Sequence, residues 1–408
     1  SSTRMMRTAA GACARRAGSV MSDPIQSLSV LSTVFALLLG ALVGSFANVV
    51  IWRVPRGESI VWPGSRCPRC GRRLTPTELV PVVSWAVQRG RCRGCSARIS
   101  ARYPLVELLM AAGFTAIILR WPLFDFGPTA PLLMALFALL LILTFIDLDT
   151  LTLPDALTLP ALAVALAGTF VYAPGSGLPD LGAALAGAGI GAGMLVLINR
   201  LGGLALRRLR DTRERLWPIG FDQVNLAALV GLLLGWQAGL IAALASLLLN
   251  LLTRRTLRLP EGITYLLWLI VLVVVATPGL LLPLPQAIGG SLGAAGAAAV
   301  AGALYWWIAG LLGHSDEEPA PGEEDEEPIA MGFGDVKLAA VLGAMLGWQG
   351  MLVALFAAVV LGAVFGVIAR LTGGERTIPF GPYLVAGGLI ALFAAQPLID
   401  WYTGLLVA

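Results

Sequence analysis

This chain contains one histidine, His314, and only 13% of its 408 residues are charged. The first shortage argues against a histidine base or a histidine-ligated metal as the chemical centre. The second argues against a soluble domain. With 57% hydrophobic residues and a mean hydropathy of +0.83, the apolar surface exceeds what one core could hide, so most of it faces lipid. Strand-period alternation is also missing. Long apolar runs recur from about Leu28 to the end and have helical length, which gives an all-α polytopic membrane protein.

Residues 1–20 are polar and basic and lack the apolar middle of a secretory signal, so they are set apart as a non-native or disordered leader ahead of a start at Met21. Spans are expected near 28–52, 104–122, 130–148, 155–173, 180–200, 223–235, 237–252, 262–282, 288–312, 336–348, 350–370 and 382–400. That makes about twelve transmembrane helices. Eleven arginines crowd Arg53–Tyr103, and such a density belongs in the cytoplasm. Alternating the spans puts "RRLRDTRER" (207–215), Arg254 and Arg255, the loop 313–330 and Arg370 on that same side. Opposite loops such as "APGSGLPD" carry no Lys or Arg. The acidic "DEEPAPGEEDEE" (316–327) reads as a solvated flexible loop. No stretch points to a nucleic-acid partner, and the oligomeric state is not specified by the sequence.

Four of the five cysteines form two CxxC knuckles, Cys67/Cys70 and Cys92/Cys95, with 21 residues between them. Such spacing fits one tetrahedral four-thiolate zinc site in a small zinc-ribbon-like domain, and the neighbouring arginines are expected to favour the thiolates. Two disulfides are the competing arrangement, disfavoured on a cytoplasmic side. Four protein ligands leave no open position, so the metal is structural. It would pin a cytoplasmic loop too small and polar to hold itself together.

Carboxylates gather at predicted helix ends. Asp147 and Asp149 close the apolar run "LLLILTFIDLDT", Asp155 follows Pro154 at the next helix start, and Asp335 sits in "MGFGDVKL". As interfacial caps these acids need no function. Yet Gly332 and Gly334 beside Asp335 would admit an extended peptide backbone. Two carboxylates brought together share a proton, so one could activate water while the other polarises a carbonyl. In a helix Asp147 and Asp149 point about 200° apart. Only one can face such a dyad, and residue chemistry alone does not choose between them.

At this point the chain resembles the bacterial type IV prepilin peptidases, membrane aspartic proteases of the GxGD kind. The blocks that carry the resemblance come in family order: "GSFANVVIWRVPRGESIVWPGSRCPRC", "ELVPVVSWAVQRGRCRGCSARISARYPLVELL", "FIDLDTLTLPDALTLP", "MGFGDVKLAAVLGAMLGWQ" and "IPFGPYLVAGGLIAL". The resemblance implies Asp147 and Asp335 as the catalytic pair, with Gly332, Gly334, Lys337, Asp149 and Asp155 in support. It implies cleavage of type IV prepilin and pseudopilin leaders after a glycine, at the cytoplasmic face of the bacterial inner membrane, for pilus assembly or type II secretion. Methylation of the new N-terminus from S-adenosylmethionine is implied as well, although no glycine-rich nucleotide loop supports it. Rival readings are an inactive membrane scaffold, disfavoured by the intact GxGD block, and a transporter, which would carry its acids nearer the bilayer midplane.

The GxGD block occurs twice in outline. At an offset of 112, residues 220–238 and 332–350 are identical at 11 of 19 positions, but the earlier copy reads Asp222-Gln223 for Gly334-Asp335 and Asn225 for Lys337. Moving the acid by one residue turns it about 100° around a helix. The expected division is a first span 21–52, a four-cysteine domain 53–103, helices 104–178 with the first Asp block, a degenerate duplicate 179–285 and a working GxGD unit 286–408.

Overall fold

A computed structural model of the protein describes residues 2–207, 221–253, 284–311, 332–372 and 379–407. Its helices are α1 (Ser2–Arg53), α2 (Val83–Val87), α3 (Arg102–Arg120), α4 (Leu123–Phe126), α5 (Thr129–Thr150), α6 (Asp155–Gly168), α7 (Leu181–Arg207), α8 (Phe221–Leu234), α9 (Trp236–Thr253), α10 (Leu284–Leu311), α11 (Phe333–Leu371) and α12 (Gly381–Val407). Among the described residues there is no strand, only two isolated β-bridges in the cysteine segment.

Among the described residues, six stretches are long and apolar enough to cross a bilayer: Ser27–Arg56, Arg102–Arg120, Thr129–Thr150, Leu181–Ile198, Gly334–Ala369 and Gly381–Tyr402. Asp155–Gly168, Val224–Leu234, Trp236–Ser246 and Ile288–Ala301 are shorter apolar helices. The span expected near 262–282 and the acidic loop 313–330 with His314 lie outside the described residues. α1 takes in the 1–20 segment that the sequence sets apart.

The expected spans 336–348 and 350–370 fall in one assigned helix, α11, with non-helical dihedrals at Gly347 (φ 70°, ψ 175°). The chain turns back there. A Cβ on Gly191 would stand 2.7 Å from the Ala339 carbonyl and 3.1 Å from Met351 Cγ. In a straight helix those two residues would be about 18 Å apart. Gly235, with φ 89°, sits 112 positions earlier and joins α8 to α9. A Cβ on Gly239 would likewise meet the Ala227 carbonyl at 2.6 Å and Gly231 Cα at 3.1 Å. The repeat therefore extends from sequence to shape: each copy folds into a helical hairpin turned on a glycine in a backbone region that side chains disfavour.

Two compact units are present. The first comprises residues 1–142 and 171–176. Here Gly40 and Gly44 bring α1 against α3, where a Cβ on either would come within 2.7 Å of Ala111 Cα or Glu107 Cα. The buried Glu107 carboxylate accepts the Val82 amide at 2.6 Å, which ties the cysteine segment to the helix that follows it.

The second unit comprises residues 143–170 and 177–408. Its centre is the first half of α11, buried from Leu338 through Leu342 and packed by α6, α7 and α12. The sequence groups α7 with the degenerate copy, yet α7 lies on α11, with Gly187 against Gly343. α10 in turn packs on α8 and α9, where a Cβ on Gly290 would meet the Gly231 carbonyl at 2.5 Å. The first helices of the two copies are thus exchanged.

Candidate active site

α5 is apolar around its whole circumference, so a carboxylate near its end is carried into a packed environment. Asp147 is 5% exposed, whereas Asp149 is exposed on the other side of the last turn. The helix ends one turn later, where the Leu151 amide donates to the Asp147 carbonyl at 2.9 Å with Leu151 at φ 54°. Residues 152–154 then lead into α6 behind Pro154, whose fixed φ suits a helix start.

Asp335 comes from the first turn of α11. Gly332 caps that helix in an extended conformation, and its carbonyl accepts the Asp335 amide at 3.1 Å. The side chain is 8% exposed and within electrostatic reach of Asp147. Gly334 makes this approach possible, because a Cβ there would stand 2.8 Å from Leu153 Cβ in the turn after α5. One residue type therefore sets how closely the two acidic segments meet.

The structure brings Asp147 and Asp335 together and leaves Asp149 outside the pair. Asp155 and Lys337 form an ion pair that ties the start of α6 to α11, two residues beyond Asp335. Lys337 is the only lysine in the chain. In the earlier copy Asn225 stands at the corresponding offset, and its buried Nδ2 has no hydrogen-bond partner. Asp222 opens α8, but its side chain lies outside the described ones.

Gly381 belongs to the site although its role was not read from the sequence. The Gly381 backbone amide faces the Asp147 carboxylate, and a Cβ on Gly381 would stand 2.5 Å from Asp147 Oδ2. Oδ2 itself is buried without a hydrogen-bond partner. "IPFGPYL" was a visible motif, but nothing local says which carboxylate its glycine meets. Gly381→Ala is expected to displace Asp147 and cut turnover by roughly tenfold or more with protein yield unchanged, since small misplacements of catalytic groups are costly. Comparing kcat for the two proteins checks this.

In the first unit, the Sγ atoms of Cys67, Cys70, Cys92 and Cys95 lie within 4.8 Å of one another. None is in a disulfide, which removes the two-disulfide arrangement. Cys67 and Cys95 are 3.8 Å apart, the edge of a tetrahedron whose sulfurs lie ~2.3 Å from a central zinc. The donor set therefore fits a metal of that kind. The knuckles are alike: the Cys67 amide donates to the Arg72 carbonyl and the Cys92 amide to the Ala97 carbonyl, both at 2.9 Å.

The backbone amides of Cys95 and Gly94 hold the Cys92 thiol down to about 6, and those of Cys70 and Arg69 lower Cys67. Of the neighbouring arginines, Arg72 interacts with the Cys92 sulfur while pairing with Glu78 at 2.5 Å. The Thr75 amide and that guanidinium together hold the Glu78 carboxyl at about 2.

Comparison with known proteins agrees with these motifs. The profile described as "Bacterial Peptidase A24 N-terminal domain" matches residues 38–121. The profile described as "Type IV leader peptidase family" matches twice, over 134–253 and 254–367. A prepilin leader peptidase/N-methyltransferase of Myxococcus xanthus (strain DK1622) is 41% identical over 210 residues, covering 51% of this chain and 58% of that relative. One of the same name from Aeromonas salmonicida (strain A449) is 29% identical over 393 residues, covering 90% of this chain and 91% of the relative. A type 4 prepilin-like proteins leader peptide-processing enzyme of Escherichia coli O78:H11 (strain H10407 / ETEC) is 33% identical over 266 residues, covering 60% of this chain and 94% of the relative. No solved structure matches the chain.

Proposed function

Because the chain belongs to the type IV leader peptidase family, we propose that it is a multi-pass membrane enzyme that removes the leaders of type IV prepilins and pseudopilins, with Asp147 and Asp335 as its catalytic pair. The observation that carries the assignment is the burial of these two carboxylates, from separate helices, within reach of each other. Two such groups share one proton more readily than both ionise. The ionised member takes a proton from water as it attacks the scissile carbonyl, and the protonated member donates a hydrogen bond to the carbonyl oxygen. Gly332, exposed beside Asp335, leaves room for an extended substrate backbone. Lys337 and Asp155 act as supports that hold α11 against α6.

The arginine distribution supports a cytoplasmic side of the bacterial inner membrane for the pair and the cysteine segment. Zinc would be held by Cys67, Cys70, Cys92 and Cys95, a closed set that fixes a fold and does no chemistry. Relatives named N-methyltransferases extend the proposal to methyl transfer from S-adenosylmethionine to the new N-terminus. The sequence offers no glycine-rich loop for that donor, so no residue is assigned to it. The degenerate copy is a packing element. Asp222 there is one helical position out of phase with Asp335, and a scaffold without activity is the reading its intact partner block disfavours.

The test is conversion of a prepilin by the purified protein in proteoliposomes, with the product N-terminus read by mass. Cleavage after a glycine is expected, and with the methyl donor present the product gains the mass of one methyl group. An intact leader on several prepilins, with folded protein, would overturn the reading.

A further inference from the structure

The arginine-rich segment carries a feature that peptide cleavage does not use. Residues 53–103, which run from the end of the span Ser27–Arg56 to the start of Arg102–Arg120, hold eleven arginines against two glutamates, Glu58 and Glu78. Glu78 is already taken by Arg72. Just beyond the first span, three consecutive apolar residues face outward: Ile60 is 39% exposed, Val61 82% and Trp62 65%.

This projection is built. Arg53, at the end of α1, donates to the Ser59 carbonyl at 2.8 Å and to the Pro63 carbonyl at 2.6 Å, clasping both ends of the loop. Ser59 Oγ accepts the amides of Val61 and Trp62, each at 3.3 Å. Guanidinium groups flank the aromatic rings, Arg73 4.9 Å from the Trp62 ring and Arg56 3.6 Å from that of Trp52. The side chains could have folded inward on so short a loop, yet the backbone is locked in a form that displays them.

We propose that Ile60–Trp62 is an interfacial anchor that inserts into the headgroup layer of anionic phospholipid and seats the four-cysteine segment on the bilayer surface. Three observations select that occupant. The loop continues directly from a membrane span, so its tip stays within a few residues of the interface. A tryptophan with an arginine over its ring is a combination that settles at headgroup depth. The surplus of nine positive charges complements an anionic leaflet, whose attraction for arginine falls off within a Debye length. The anchor is independent of the peptidase assignment and leaves the catalytic pair untouched.

The experiment uses the full chain in nanodiscs of phosphatidylcholine alone and of phosphatidylcholine with phosphatidylglycerol, following hydrogen exchange of residues 58–66. Exchange is expected to slow by about fivefold or more in the anionic discs, and the effect to weaken at high salt. Val61→Ser with Trp62→Ser should abolish the difference while bound metal stays constant, which separates loss of the anchor from loss of the fold. Brominated lipid should quench the wild type more than Trp62→Phe. Equal exchange in both discs, with no quenching assignable to Trp62, overturns the proposal. So does protection that appears only on adding a prepilin, which would make the loop a substrate surface, or only with two copies per disc, which would make it an interface between chains.

Discussion

Asp335→Asn and Asp147→Asn are each expected to lower leader cleavage by on the order of a thousandfold or more, with Asp149→Asn within about threefold of the wild type. Asparagine keeps the size of the side chain and removes the proton that the pair shares. Each variant should therefore fold and bind substrate, and fail at the chemical step. The two losses should not multiply in the double variant, since either one already disables the pair. Asp149 is exposed whereas Asp147 and Asp335 are buried, so its removal is expected to spare the chemical step. Single-turnover cleavage in proteoliposomes measures the wild type and all four variants. Activity surviving both Asp147→Asn and Asp335→Asn would refute an aspartyl mechanism.

Replacing one metal ligand should produce the second large effect. Structural zinc sites contribute about 10–16 kcal/mol of apparent binding free energy, much of it folding free energy in a small domain. Among the described residues, the segment around the cysteines has little regular structure: turns, two isolated bridges, a short 3-10 helix at Pro76–Leu79 and the five-residue α2, braced by the Arg72–Glu78 pair and the Val82–Glu107 hydrogen bond. Cys92→Ser, or treatment with a strong chelator, is expected to release one zinc per chain and expose the arginines between Arg66 and Arg98 to trypsin. The helices of the second unit should remain intact. A variant that keeps one metal per chain, or resists trypsin as the wild type does, would show that the segment folds without the four-thiolate site. The backbone amides draw Cys67 and Cys92 toward the thiolate, whereas burial and the neighbouring thiols push Cys95 up to about 11.

Several features follow from the sequence by itself. Apolar content and run length determine a helical membrane protein. Two CxxC pairs determine the four sulfurs that meet, because each knuckle is local and the chain between them is short. Helical phase puts Asp147 and Asp149 on opposite faces of their helix, and of the two copies only the later carries the GxGD pattern, at Asp335.

What only the tertiary structure decides is which segment lies against which. Helices that are apolar all round carry no polar face to say where a neighbour sits, and lipid tails supply no hydrophobic preference between helices. Contact is then selected by the fit of small residues over long sequence separations. Gly381 meets Asp147 across more than 230 residues, and Gly187 meets Gly343 rather than its counterpart in its own copy. For the same reason the exchange of α7 and α10 was not legible, and neither was the burial of Asp147 in place of Asp149. The acids are written in the chain. Their meeting is made by glycines whose partners lie far away.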